Sequence, residues 1–217
     1  MLKEYFLSTA KQLKLDLSFD YMGMLKEAQN LRERFVTHRP GEYEHKGWKS
    51  LVLHGLSETS TDYYKEYGYT SSIKAAEDSV WTKAAEESPI TMNFLLNIFP
   101  KSKFARVRFM LLEAGGHINT HTDSSKPILE NINISLSNHK NCIWHWDHDN
   151  TTLEMPPGSA WAMNIHYPHR IVNNSNEDRY HLIVHRVDSS DEWKDLINRS
   201  CIKENVTGEY FTHEVLI

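Results

Sequence analysis

His121-Thr122-Asp123 is the sharpest chemical signal in this 217-residue sequence. It follows Gly115-Gly116 and a stretch, residues 104–112, that alternates and is rich in β-forming side chains. On a strand, residues i and i+2 face the same way. His121 and Asp123 can therefore aim at one point while Thr122 turns away. An imidazole and a carboxylate on one face supply two ligands of the 2-His-1-carboxylate arrangement, which holds non-haem Fe(II) and leaves positions open. Alone the pattern is weak, because surface strand ends often carry it. A second histidine, His169, comes 46 residues after Asp123, in Tyr167-Pro168-His169-Arg170-Ile171-Val172. Arg179 follows ten residues later and opens the last strongly β stretch. Its guanidinium has the fork that binds a carboxylate bidentately. An iron site with open positions beside such an arginine suits a 2-oxoglutarate co-substrate.

These residues must be held by β structure. Residues 104–112, 132–136, 142–146, 159–165 and 179–187 read as short strands, separated by Gly115-Gly116, Ser137-Asn138, Pro156-Pro157-Gly158 and Asn173-Asn174-Ser175-Asn176. Closely spaced strands with no helices between them predict a sandwich or barrel. The first part of the chain differs. Met22, Leu25, Ala28, Leu31 and Phe35 recur every three or four residues, so residues 18–35 predict a helix with one buried stripe, capped by Ser18 or Asp20. Residues 48–53 predict a strand, 57–72 a long loop, 90–99 a buried helix and 191–199 a closing helix. Residues 201–217 read as a further strand or a tail. The expectation is one domain over residues 1–217: a helical and irregular part, 1–100, packed on a β core, 101–188, with a C-terminal helix and tail, 189–217.

Composition narrows the classes. Hydrophobic residues make up 40% and charged residues 24%, the balance of a globular domain. No apolar run approaches a bilayer span, and the N-terminus lacks a signal-peptide core. Two cysteines, Cys142 and Cys201, are too few for a disulfide framework and point to a reducing, cytoplasmic setting. A formal charge of −5 argues against bulk electrostatic binding of nucleic acid.

The region from Arg106 to His185 resembles the aspartyl/asparaginyl β-hydroxylase family of Fe(II)/2-oxoglutarate dioxygenases. The matching pieces are Arg106-Val107-Arg108-Phe109, Gly115-Gly116-His117, His121-Thr122-Asp123, Pro157-Gly158, Pro168-His169-Arg170-Ile171-Val172-Asn173-Asn174-Ser175 and Asp178-Arg179-Tyr180. The resemblance implies a mainly β, double-stranded β-helix (jelly-roll) core with flanking helices. It implies His121 and His169 as iron ligands, with Asp123 completing the set, and Arg179 as the anchor for the distal carboxylate of 2-oxoglutarate. It also implies dioxygen as oxidant and an amino acid, free or in a peptide, as substrate. Free-proline hydroxylases have a similar layout. In one departure, the family often places Arg or His on the strand corresponding to residues 131–137. Here Asn133 is the best match, an uncharged donor for a carboxylate.

Other candidates rank behind these. Arg106 and Arg108 share a strand face and could bind an acidic substrate group. Trp144, His145 and Trp146 form either a substrate wall or an ordinary hairpin. His181 shares the face of Arg179 and could lie near the co-substrate. His117 and His185 read as structural. The rival reading is a cupin-like barrel that binds metal or a small ligand through His117, His121 and His169 without 2-oxoglutarate. It gives Arg179 no task.

Overall fold

The structure is a computed structural model that describes residues 9–40, 45–100, 104–124, 126–129, 131–137, 140–186, 191–204 and 206. Its strands are β1 (Gln12–Lys14), β2 (Val36–Thr37), β3 (Lys46–Gly55), β4 (Val80–Trp81), β5 (Phe104–His121), β6 (Asn131–Ser135), β7 (Cys142–Trp146), β8 (Thr151–Leu153), β9 (Ala160–Met163), β10 (His169–Asn173) and β11 (Arg179–Arg186). The helices are α1 (Tyr21–Asn30), α2 (Ser72–Glu77), α3 (Lys83–Glu86), α4 (Pro89–Ile98) and α5 (Asp191–Lys203).

The 18-residue strand β5 belongs to both halves of the β structure. Its first part pairs antiparallel with β3 on one edge and β11 on the other, whereas its end, from His117 to His121, pairs with β10. One half therefore runs β1-β9-β6-β11-β5-β3 and the other β5-β10-β7-β8. The bend between them falls at the double glycine. Gly115 takes φ +65° and its N–H donates to the Ser175 carbonyl at 3.1 Å. A Cβ on Gly116 would stand 2.7 Å from the Lys46 carbonyl oxygen, so only glycine lets β3 approach there. The result is the expected double-stranded β-helix with flanking helices.

Strand alternation sorts the core into two layers. Leu51, Leu53, Phe109, Leu111, Leu182 and Val184 face the helices, and Met110, Leu112, Ile118, Trp144, Trp146 and Ile171 fill the inside of the barrel. Burying a side chain of this size contributes about 1.5–3 kcal/mol. Across the inner face run rows of directly paired residues. One is Ser50, Met110, His181 and Ser135; the next is Val52, Arg108, Ile183 and Asn133. Polar side chains thus replace apolar ones on one part of an otherwise apolar wall.

The helical part departs from the periodicity. The helix starts at Tyr21, Asp20 caps it by accepting from the Gly23 N–H at 2.9 Å, and it ends at Asn30 before a short 3-10 turn, Arg32–Arg34. Met22, expected in the buried stripe, is 67% exposed, while Met24 and Glu27 are buried. The cause is Glu27. Its carboxylate accepts from the Ile90 N–H (2.6 Å), the Thr91 N–H (3.0 Å) and the Thr91 hydroxyl (2.7 Å). Capping the N-terminus of α4 rotates α1 away from the purely apolar solution. The 57–72 segment is irregular apart from a 3-10 turn, Tyr64–Tyr67. Residue 187, expected to end the last strand, and residues 207–217 of the expected tail lie outside the described residues, whereas Cys201 to Lys203 close α5. No helix among the described residues is long and apolar enough to cross a membrane.

Candidate metal centre and adjoining cavities

His121 ends β5 and His169 begins β10, and the ladder pairs them directly, with ring centroids 4.4 Å apart. Asp123 lies beyond the strand end, in the turn that follows. Its N–H donates to the Ile165 carbonyl at 2.9 Å, and this tie to the next segment brings the carboxylate back to the imidazoles. Asp123 Oδ2 is 3.5 Å from His121 Nε2 and 3.9 Å from His169 Nε2. One ligand atom from each of the three lies within 4.8 Å of the others.

Each imidazole is oriented from behind. His121 Nδ1 meets the Asn119 carbonyl at 2.7 Å, and His169 Nδ1 meets the Tyr167 carbonyl at 2.9 Å. A carbonyl only accepts, so each Nδ1 carries the hydrogen and each Nε2 turns to the carboxylate. The Trp144 ring stacks on His169, with centroids 4.6 Å apart and planes inclined by 9°. Behind Asp123, Oδ1 accepts from Arg39 Nη1 at 3.0 Å. Arg39 is buried, takes φ +49° and places its guanidinium 4.4 Å from the centre of the Tyr63 ring.

The electrostatics follow. Burial opposes ionisation of Asp123, but the His121 hydrogen bond and the charge of Arg39 outweigh it and hold the carboxyl well below its usual range. Burial, then the neighbouring His121, push His169 down to about 4. Burial also disfavours a proton on His121, but Asp123 reverses this and raises its pKa. Two imidazoles and one carboxylate, with positions left open, form a donor set suited to a divalent ion such as Fe(II). Ligands bound at right angles about 2.0–2.2 Å from one ion lie ~3 Å apart, so the observed spacing closes with small side-chain movements.

A cavity of 320 Å³ opens on these residues and is also lined by Arg106, Arg108, Asn133, Trp144 and His181. Arg179 lies two positions before His181 on β11; it is 3% exposed and does not itself line the cavity. Its Nη1 donates to His181 Nδ1 at 3.1 Å, and its Nη2 stands 3.9 Å from Met155 Sδ. Burial, then the charge of Arg179, push His181 well below its ordinary pKa, so it accepts as a neutral ring. Among the described residues, no carboxylate forms an ion pair with Arg179. Asp178 is engaged elsewhere, accepting from Arg32 Nη2 at 2.8 Å and the Ala114 N–H at 3.1 Å.

Arg108 is also buried without a carboxylate. It donates from Nη1 to His38 Nε2 (3.3 Å) and from Nη2 to His185 Nε2 (3.4 Å). Arg106 lines the 320 Å³ cavity and a second, outer cavity of 540 Å³. Asp123 and His185 also face both, so the two cavities meet at the metal centre. Trp146 is buried, with its indole N–H donating to Gln12 Oε1 at 2.6 Å. His145, one position along β7, faces the other way, 3.3 Å from Arg170 Nη2. His117 pairs with Val172 and Lys46 in the ladders and stands outside the ligand cluster.

Arg39, His38 and Trp48 line the inner cavity but carried no signal in the sequence. His38-Arg39-Pro40-Gly41 reads only as a helix stop. Residue 39 reaches Asp123 across 84 positions of chain, through tertiary structure alone.

The aspartyl/asparaginyl beta-hydroxylase family profile matches residues 18–188. No curated protein matches the chain in sequence. Among solved structures, a prolyl hydroxylase in complex with a hypoxia inducible factor oxygen degradation domain peptide fragment, from Trichoplax adhaerens, superposes with a TM-score of 0.54 at 11% identity. That likeness covers 85% of this chain and 87% of that one. A Pseudomonas putida prolyl-4-hydroxylase gives 0.44 at 11% identity, covering 85% and 96%. The viral collagen prolyl hydroxylase of Paramecium Bursaria Chlorella virus-1 gives 0.44 at 9% identity, covering 83% and 97%. At 11% identity the likeness to the Trichoplax adhaerens structure is one of fold.

Proposed function

The chain belongs to the aspartyl/asparaginyl β-hydroxylase family, and from that premise we propose that it is an Fe(II)- and 2-oxoglutarate-dependent hydroxylase of an amino acid, free or within a peptide. The observation that carries the reading is the convergence of His121 Nε2, His169 Nε2 and Asp123 Oδ2 beside a cavity. A bound ferrous ion with 2-oxoglutarate and dioxygen would supply oxidative decarboxylation to succinate and CO2, one oxygen atom entering a substrate C–H bond.

The chain's own residues then divide the work. His121, His169 and Asp123 hold the ion, oriented by the Asn119 and Tyr167 carbonyls and by Arg39. Arg179 anchors the distal carboxylate of 2-oxoglutarate through its two N–H donors. Neutral His181 holds the guanidinium from one side, and Asn133, on the neighbouring strand, supplies an amide donor. Because histidine and not a carboxylate faces Arg179, its charge is left for an incoming anion. Arg106 and Arg108 face the substrate, and Trp144 walls the inner cavity. This reading takes residues 1–217 as one catalytic domain. The two free, buried thiols, Cys142 and Cys201, support a reducing, cytoplasmic location.

Anaerobic addition of Fe(II) and then 2-oxoglutarate tests the reading. A weak visible charge-transfer band is expected, followed by succinate release once air and a panel of amino acids and short peptides are supplied. Tight iron binding with neither band nor succinate would overturn it in favour of a barrel that binds metal without 2-oxoglutarate.

A further inference from the structure

The outer cavity has a composition of its own. Tyr63, Tyr67, Ala75, Leu129 and Trp193 give it an apolar and aromatic wall, and Arg106 stands where it meets the metal centre. Among the described residues the Arg106 side chain makes no hydrogen bond or ion pair, although it is part-buried. Its neighbours are otherwise engaged. Arg39 is bonded to Asp123, and Arg108 is clasped by His38 and His185. A guanidinium removed from water with five donors and no acceptor is costly, so the site is built for an anion that arrives from outside. Asp62 also lines this cavity, where its N–H donates to the Tyr67 hydroxyl at 3.2 Å. The 540 Å³ of space also exceeds what one small amino acid fills, and it lies within the range of pockets that enclose small molecules.

We infer that the substrate is a small free acid with an apolar extension, an acylated amino acid or comparable carboxylate, bound with its carboxylate on Arg106 and its apolar part along the Tyr63–Tyr67–Trp193 wall. This rests on the hydroxylase reading and narrows it. The carboxylate on Arg106 sets the distance between the anchored end and Asp123, so the carbon presented for hydroxylation lies close to the carboxyl group. Tyr63 and Tyr67, 38% and 39% exposed, are placed to cover the apolar part after entry.

Titration calorimetry on the full chain, loaded anaerobically with Mn(II) and the inert analogue N-oxalylglycine, tests this. The probes are N-acetyl-, N-butanoyl- and N-octanoylglycine and their neutral carboxamides. Affinity should rise with acyl length and fall roughly 10- to 150-fold for each amide. Arg106→Gln should abolish the preference for acid over amide, with Mn(II) and N-oxalylglycine binding retained. Ala75→Phe, which adds a ring to the wall of the chamber, should reject the octanoyl acid and keep the acetyl one. Equal binding of acids and amides, an unchanged Arg106→Gln variant, or no binding of any probe by loaded protein would each overturn the inference. Failure of Mn(II) and N-oxalylglycine to bind would instead strike the hydroxylase reading.

Discussion

Arg39 holds one oxygen of Asp123 while the other faces His121 and His169, so one carboxylate is shared between a buried guanidinium and two imidazoles. The contact leaves Oδ2 as the oxygen that faces the two imidazoles. Arg39→Ala should weaken Mn(II) binding by about 10- to 100-fold, the usual effect of removing a partner behind a ligand. It should also change the visible spectrum of the Co(II) form as the carboxylate becomes able to bind through both oxygens. An unaltered spectrum and affinity would show that Arg39 does not position the ligand.

His121→Ala and His169→Ala should each remove tight metal binding, since each deletes one of the two imidazoles that converge on Asp123. Asp123→Ala should weaken binding less, because two imidazoles remain. Calorimetric Mn(II) titration orders the three. Equal, tight binding by all of them would dismiss the site.

Arg179→Lys keeps the charge and loses the fork. The expected result is a KM for 2-oxoglutarate raised roughly 10- to 150-fold, with iron affinity little changed. Steady-state titration of 2-oxoglutarate against both proteins decides it, and an unchanged KM would assign the anchor elsewhere.

His38 and His181 are 2% exposed, and burial, reinforced by neighbouring arginines, pushes both well below the ordinary histidine pKa. The folded protein keeps them neutral, whereas the unfolded chain protonates them below about pH 6.5. Stability should therefore fall as pH drops below that point, by ~1.4 kcal/mol per unit for each such ring. Asp123, with a depressed pKa, loses its contribution only below the ordinary aspartate range, so it does not affect this window. Urea midpoints between pH 7.5 and 5.5 measure the slope. His38→Gln should flatten it by about one proton.

Glu27→Ala leaves two backbone N–H groups, one part-buried and one buried, and one buried hydroxyl at the start of α4 without their acceptor. A loss of about 2–4 kcal/mol is expected, read from the urea midpoint, with metal affinity unchanged.

Much of the site is legible in the sequence because its parts are local. His121 and Asp123 sit in one tripeptide after a glycine pair, and strand alternation predicts that Arg179 and His181 share a face. The register that sets His169 opposite His121 is not local, and neither is the path that brings Arg39 to Asp123. Three-residue strands such as β1 and β8 are too short to show a period. Met22 shows the opposite failure. A clear 3.6-residue pattern is overridden by one buried carboxylate that binds another helix.

The chain order of the sheet also governs when the protein can fold. Strand β11 inserts between β5 and β6, although it is made after both, and β1 pairs with β9. A nascent chain on the ribosome thus carries two open strand edges until residues 179–186 emerge, and His121 and His169 are separated until β10 follows β5 into place. Such non-local pairing slows folding. A chain that stalls or is cut before β11 exposes unpaired, apolar strands of the kind that aggregate or recruit chaperones.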